Sequence, residues 1–400
     1  MRARLWPPWI RTRAPLALVS PVASFAEYSL LPSLLKTLGE QGLDTPTEIQ
    51  AAAIPPQLKG RSVIGVAETG SGKTLAYALP VLHQLKVLET EGVPVSIAGR
   101  PRGLVIVPGR ELGQQVVKVF KSLTHDTRLR VRSCLGGTKK QIAAQNVRGE
   151  FEVLVATPGR LAQFLDQRQL RLDDVRVLVL DEADQLLDPG FIGLVGRALG
   201  ECPPQVRIAL YGATLSRGLE EAALELFPNQ PLRFRTEGSR KPLDNLETIN
   251  RNVPNQRFDV LREVLREDKE TSSLLFANTR KQCEKLSAWL ESEGHAHVLY
   301  MGEMESAERR ANLARFRSGE VKLLVATDLA GRGLDIDLVG RVINVHLPRD
   351  LDNYRHRVGR TARAGRSGKV VNLITERDGP LLEQLDERER PQGKGKKGRR

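Results

Sequence analysis

Three groups of residues in this chain have the types and spacing to handle a polyphosphate. The first is Ala67-Glu68-Thr69-Gly70-Ser71-Gly72-Lys73-Thr74, between the apolar run Val63-Ile64-Gly65-Val66 and a helix start at residues 75–80. Strand, glycine-rich loop and helix form the setting in which backbone N–H groups turn inward on phosphate oxygens. The helix N-terminus adds unpaired donors and the positive end of a dipole. Lys73 is placed to reach the β- and γ-phosphates, and Thr74 to bind Mg2+. Ala67 stands where the generic pattern has its first glycine, and a glycine-rich turn with a chance Lys-Thr is the bland alternative. The second group is Asp181-Glu182, delivered by the aliphatic run at 177–180. One carboxylate can face Mg2+, directly or through water, while the other orients or deprotonates an attacking water. Asp184, two residues on, reads equally as an acid favoured at a helix start. The third group is His356-Arg357-Val358-Gly359-Arg360-Thr361-Ala362-Arg363. Arg360 and Arg363 would share a face of a helix, and two guanidiniums could stabilise charge developing on a γ-phosphate. Alone, that run is as well read as a basic helix on RNA or a solvated face.

The elements that must hold these groups follow a repeating pattern. Aliphatic runs at 104–107, 153–156, 177–180 and 208–211 lead into Pro108-Gly109-Arg110-Glu111, Thr157-Pro158-Gly159-Arg160, Asp181-Glu182-Ala183-Asp184 and Gly212-Ala213-Thr214. Near-continuous apolar strands suit a mainly parallel sheet buried on both faces, with helices in right-handed crossovers. Ligands of such sheets bind beyond the carboxyl ends of the strands, where every one of these polar segments falls. The runs at 274–277 and 323–326 lead into Asn278-Thr279-Arg280 and Thr327-Asp328 with separations equal to those in the first half, which implies a duplicated α/β fold. The second half has no phosphate loop, so it would serve the first half's nucleotide from across a cleft. Upstream, Leu30, Leu31, Leu34, Leu35 and Leu38 recur at helical spacing, and Thr47 with Gln50 reads as a capping box opening the next helix.

The resulting organisation is a basic extension over 1–23, a nucleotide-binding α/β domain over 24–235, a polar linker over 236–248, a second α/β domain over 249–380, and a charged helix with a basic tail over 381–400. Arg2, Arg4, Arg11 and Arg13 precede any acid, with prolines between them, so 1–23 reads as a disordered extension or a start assigned too early, ahead of an organellar transit peptide. The tail Gly393-Lys394-Gly395-Lys396-Lys397-Gly398-Arg399-Arg400 has nothing apolar to fold around. Over 400 residues the net charge is +13, which favours a polyanionic partner, nucleic acid first. Aromatics at 4% point to aliphatic cores. Cys134, Cys202 and Cys283 are scattered, which suits a reducing compartment and excludes a disulfide framework or a Cys-based zinc site. His295-Ala296-His297 is too isolated for a metal and reads as loop surface. No apolar run approaches the roughly 18 residues of a membrane span.

AETGSGKT, DEAD and HRVGRTAR, in this order and over about residues 25–375, closely resemble the DEAD-box RNA helicases of superfamily 2. The resemblance implies two tandem RecA-like domains with the ATP site in the cleft between them, and RNA-stimulated ATP hydrolysis coupled to local, sequence-independent opening of short duplexes. ATP and Mg2+ are the implied cofactors. Phe25, Thr47 and Gln50 match the adenine-reading positions. Ala67, Glu68, Thr69, Gly70, Ser71, Gly72, Lys73 and Thr74 match the phosphate loop, and Thr74 with Asp181 the metal positions. Glu182 matches the catalytic base, Gly333 and Asp335 a nucleotide-contacting segment of the second domain, and Arg360 and Arg363 the arginine fingers. Asp184, Gly212, Thr214 and His356 fall where ATP use is linked to unwinding. Arg110, Gly137, Thr157 and Arg160, with Thr279, Arg309 and Thr327, match positions that hold RNA largely through its backbone. Gly212 replaces a serine of the family pattern, Leu43 an aromatic near adenine, Gly109 a threonine, Glu48 a proline and Ser306 a glutamine. The expected protein is a monomer with no membrane contact, in the bacterial cytoplasm or alternatively the mitochondrial matrix, associated with ribosome assembly or RNA degradation.

Overall fold

The structure, a computed structural model, describes residues 24–68, 70–137, 140–215, 217–236, 246–253, 256–302, 304–328, 339–348, 350–361 and 368–389. The chain divides between Arg240 and Lys241 into two compact units. In the first, helices α1 (Pro32–Glu40) and α2 (Glu48–Leu58) precede β1 (Val63–Val66) and α3 (Lys73–Thr90). Then come β2 (Gly103–Ile106), α4 (Arg110–Leu123), β3 (Val131–Cys134), α5 (Lys140–Asn146), β4 (Val153–Ala156) and α6 (Pro158–Asp166). The unit closes with β5 (Val177–Leu180), α7 (Ala183–Leu186), α8 (Ile192–Gly200), β6 (Arg207–Gly212), α9 (Arg217–Leu224) and β7 (Leu232–Arg235).

Its sheet runs β3-β4-β2-β5-β6-β1-β7, and every described pairing is parallel. Because side chains alternate along a strand, each apolar run feeds two cores. Val105, Val155, Val179 and Tyr211 pack on one face, while Leu104, Ile106, Leu154, Leu178 and Leu210 pack on the other. This is the reason the strands read as continuous aliphatic runs. Gly65 interrupts β1 because a side chain would not fit: a Cβ there would lie 2.6 Å from the ring of Tyr211 on the neighbouring strand.

The sheet order decides what chemistry meets. The carboxyl ends of β5, β6 and β1 are adjacent and carry Asp181, Gly212 and Ala67. Those of β3, β4 and β2 are adjacent and carry Gly137, Thr157 and Arg110.

The second unit contains β8 (Leu246–Asn252), α10 (Arg257–Glu267), β9 (Ser273–Phe276), α11 (Arg280–Ser292), β10 (His297–Tyr300), α12 (Ser306–Arg317), β11 (Leu323–Ala326), β12 (Arg341–Asn344), α13 (Leu351–Val358), β13 (Gly368–Ile374) and α14 (Gly379–Glu389). Its sheet runs β10-β11-β9-β12-β13-β8, again parallel at every described pair. Two further cores cover its faces, with Leu274, Leu324 and Val342 on one side and Leu275, Val325 and Ile343 on the other.

Three local expectations change. Strand β8 starts inside the polar stretch 236–248 and pairs with β13 over its full length, Leu246 opposite Gly368 and Asn252 opposite Ile374. It is an edge strand none of whose side chains is fully buried, so it lacks an apolar run. His297 opens strand β10 rather than lying in a surface loop, and its Nε2 is 2.6 Å from the Ser287 hydroxyl. Helix α13 ends at Val358, so Arg360 lies in the turn beyond it, and helical spacing does not set its direction. The three cysteines are buried and free. Among the described residues no helix is long and apolar enough to cross a membrane.

Candidate functional site

The loop after β1 is shaped by backbone that only glycine adopts without strain: Gly70 has φ +86° and Gly72 φ +89°. Gly72 is constrained twice, since a Cβ there would also collide with the Gln50 amide. The Ser71 hydroxyl donates to the Glu68 carbonyl at 2.7 Å. Lys73 Nζ donates to the carbonyls of Ala67 at 2.6 Å and Glu68 at 2.8 Å, so the ammonium sits over the mouth of the loop. Helix α3 begins at Lys73 and runs to Thr90, long enough to present a full set of N-terminal donors and a macrodipole.

The start of α2 is bonded to this loop. Gln50 Oε1 accepts from the Thr47 backbone N–H at 2.9 Å, as the capping box predicts. Gln50 Nε2 donates to the Gly72 carbonyl at 3.0 Å, and the Thr47 hydroxyl donates to the Ser71 carbonyl at 2.7 Å. Both side chains therefore touch the phosphate loop directly. Phe25 lies in a short 3₁₀ turn, Phe25–Glu27, buried edge-on against Tyr28 at 6.0 Å.

Beyond β5, Asp181 is 3% exposed. Its Oδ2 accepts from the Tyr77 hydroxyl at 2.8 Å and its Oδ1 from the Glu182 N–H at 2.9 Å. Burial pushes this carboxyl up, against the Lys73 charge and the two hydrogen bonds, which pull it down. Glu182 has φ +52°, a left-handed conformation that a non-glycine residue adopts at a cost of about 1–2 kcal/mol. The strain turns its side chain off the line of the strand, and Oε2 accepts from Gln185 Nε2 at 2.6 Å. Gly212 ends β6 beside them: a Cβ there would lie 3.1 Å from Asp184 Oδ1 and 3.3 Å from the Thr214 carbonyl. Asp184, Gly212 and Thr214 thus form one cluster behind the acidic pair. The Thr214 hydroxyl is buried without a partner among the described residues.

The other half of the sheet gathers a second set. Arg110, opening α4, donates from Nη1 to the Gly137 carbonyl at 3.0 Å, and the Thr157 hydroxyl accepts from the Gly136 N–H at 2.9 Å. Gly137 has φ +70°. Arg160, in the first turn of α6, donates to Gln163 at 3.2 Å and is half-buried. One rim therefore presents a guanidinium, a hydroxyl and a glycine turn, the donors that phosphodiester oxygens accept.

In the second unit Thr279 caps α11, accepting from the Gln282 N–H at 3.3 Å, and Thr327 follows β11. Arg309 lies over the Tyr300 ring, 5.9 Å from its centre. His356 and Arg360 are buried. Between them is a residue whose importance the sequence did not show. Arg357 is 1% exposed, pairs with Asp328 through both Nε and Nη2, and donates to Asn278 Oδ1 at 2.7 Å, the His346 carbonyl at 2.6 Å and Asn344 Oδ1 at 3.1 Å. It ties α13 to the ends of β9, β11 and β12. Thr69, Gly333, Asp335 and Arg363 lie outside the described residues.

The donor set fits a magnesium–nucleotide complex. Among the described residues no group of three His, Cys, Asp or Glu side chains could hold a metal by itself. Mg2+ keeps most of its waters and binds through substrate phosphates with one or two protein oxygens, which Thr74 and Asp181 can supply.

Comparison with known proteins shows the family. The DEAD/DEAH box helicase model matches residues 47–222, and the helicase conserved C-terminal domain matches 256–365. The chain is 37% identical over 371 residues to the ATP-dependent RNA helicase SrmB of Escherichia coli, covering 90% of this chain and 81% of that one. It is 35% identical to the ATP-dependent RNA helicase RhlB of Actinobacillus succinogenes, over 91% and 87% of the two chains. Among solved structures, Dbp5 of S. cerevisiae bound to RNA and ADP BeF3 matches with a TM-score of 0.79 at 27% identity, over 92% and 93% of the chains. The two parallel sheets flanked by helices are tandem RecA-like domains, and the chain belongs to the DEAD/DEAH box helicases.

Proposed function

We propose that this protein is an ATP-dependent RNA helicase that opens short duplexes locally, without reading their sequence. The observation that supports this reading is the sheet order, which brings the ends of β1, β5 and β6, assigned to nucleotide, beside those of β2, β4 and β3, assigned to phosphodiester. Thr47 and Gln50, with Phe25, are assigned to adenine. The glycine loop and the α3 N-terminus bind the β- and γ-phosphates, with Lys73 as their counter-charge. Mg2+, held through Thr74 and Asp181, would neutralise charge on those oxygens. Glu182 orients the attacking water and takes its proton. Arg360 and Arg363 are assigned to charge developing on the γ-phosphate, and Gly333 and Asp335 to the nucleotide. Arg110, Gly137, Thr157, Arg160, Thr279, Arg309 and Thr327 are assigned to the RNA backbone, and Asp184, Gly212, Thr214 and His356 to coupling.

ATP turnover should rise several-fold with single-stranded RNA, and a short duplex should separate only with hydrolysable or bindable ATP. ATP turnover indifferent to RNA would sink the assignment in favour of an RNA clamp with a vestigial ATPase. Equal stimulation by DNA would favour a DNA translocase. The bacterial cytoplasm, with the mitochondrial matrix as the alternative, is supported by the bacterial relatives and by three buried, free cysteines. A monomer that joins ribosome-assembly or RNA-degradation machinery completes the proposal, and sedimentation of cell extracts tests it.

Gly212→Ser tests the coupling assignment. Gly212 is outside the left-handed region, so the serine backbone is unstrained. Its Cβ is tight only against the Asp184 carboxylate and the Thr214 carbonyl. The new hydroxyl is expected to bond within that cluster, raising unwinding per ATP by roughly two- to ten-fold, the range of one net hydrogen bond. Equal unwinding per ATP in both proteins would show that coupling runs elsewhere.

The basic tail gives a second test. Lys394, Lys396, Lys397, Arg399 and Arg400 lie outside the described residues. Each phosphate neutralised on single-stranded RNA adds about −0.7 to the slope of log K against log salt. Deleting residues 391–400 should flatten that slope and weaken binding at low salt, while RNA-saturated ATP turnover stays unchanged. Identical slopes would mean that the tail does not hold RNA.

A further inference from the structure

One turn along α3 from Thr74, a phenol is buried where phenylalanine would fill the same space. Tyr77 is wholly buried, its ring 5.5 Å from Tyr211 and 6.1 Å from Phe120. A buried hydroxyl left without partners costs about 1–3 kcal/mol, so its partners indicate its use. It donates to Asp181 Oδ2 at 2.8 Å. Asp181 and Thr74, three residues before Tyr77 on α3, are the two residues assigned to Mg2+. Three-residue spacing on a helix puts Thr74 and Tyr77 on one face, and β5 brings Asp181 to the same point from 104 residues away. A phenol keeps its proton at neutral pH, so it stays a donor.

We propose that Tyr77 is a positioning residue for the magnesium site, its hydroxyl fixing the Asp181 carboxylate relative to Thr74. The proposal rests on the magnesium assignment made above. With Oδ1 held by the Glu182 N–H and Oδ2 by Tyr77, the carboxylate cannot rotate about its Cβ–Cγ bond without breaking both bonds. A carboxylate held in this way meets the metal's inner or outer water shell already oriented. Partners that orient a metal-facing group are worth about 10- to 100-fold in metal affinity.

Tyr211 supplies a matched control. It is equally buried and touches Tyr77, but its hydroxyl accepts from Gln57 Nε2 at 2.9 Å and lies 3.4 Å from the Ala76 carbonyl. Tyr77→Phe and Tyr211→Phe each remove one buried oxygen and keep the ring, so neither opens a large cavity. The experiment titrates Mg2+ into each full-length protein with a fluorescent, non-hydrolysable ATP analogue, alongside binding in EDTA and thermal melts. Tyr77→Phe is expected to need about 10- to 100-fold more Mg2+ for half-maximal enhancement of binding. Its affinity in EDTA should be unchanged, and Tyr211→Phe should titrate like the wild type. An unchanged midpoint in Tyr77→Phe, or an equal shift in both variants, would overturn the proposal. If nucleotide binding by the wild type itself ignores Mg2+, the magnesium assignment fails, and this inference fails with it.

Discussion

Lys73→Ala is expected to lower ATP turnover by at least about 10²-fold, the scale of removing one preorganised charge from a phosphoryl-transfer site. The first unit should stay folded. Its sheet and both cores lie beneath the loop, and Lys73 contributes no packing to either. The change is not free of structural effect, because Nζ bonds the Ala67 and Glu68 carbonyls. The Glu68 contact is exposed and can turn to water, whereas Ala67 is buried, so a loss of about 1 kcal/mol is expected in a melt. ATP turnover and thermal unfolding on one preparation check both halves. A folded variant that hydrolyses ATP at the wild-type rate would remove the phosphate loop from its assigned position.

Glu182→Gln is expected to retain ATP and RNA but to lose hydrolysis by about 10²- to 10⁴-fold, the usual contribution of a positioned base. The shape is kept and the proton acceptor is lost. The amide can still accept from Gln185 through its oxygen, so the contact at 2.6 Å survives an amide flip. The left-handed backbone at 182 is set by the turn from β5 into α7 and does not depend on the carboxylate. RNA held by the variant with ATP should therefore dissociate more slowly than from wild type. Normal hydrolysis by Glu182→Gln would assign the base to another group.

The fold was legible where one strand carries its own signal. The runs at 153–156, 177–180 and 323–326 coincide with β4, β5 and β11, because a strand buried on both faces must be apolar throughout. Edge strand β8 was hidden in a polar stretch, since none of its side chains is fully buried. The candidate site was legible as loops: glycines at 70 and 72, the lysine between loop and helix, and the acidic pair. What tied the loops together was not. The bond from Tyr77 to Asp181 joins elements far apart in the chain, and no local pattern marks it. Arg357 was misleading for the opposite reason. In sequence it is one of several arginines on a basic run, which suggests a solvated face. In the fold, five acceptors on three strand ends make its burial affordable.

The position of β1 in its sheet has a consequence for synthesis. Among the described residues that strand pairs with β6 and β7, Val66 opposite Gly212 and Arg235. A ribosome delivers it early, yet its partners emerge well over a hundred residues later. Until then the Val63–Val66 segment is an unpaired apolar strand, and the loop it carries has no sheet to fix it. Such delayed, non-local pairing slows folding and leaves sticky edges open to aggregation. A nascent chain arrested before residue 207 would hold the complete nucleotide-loop sequence and no nucleotide site. Chaperone dependence, rather than loss of catalytic groups, is then the weakness that mutations in β6 and β7 would expose.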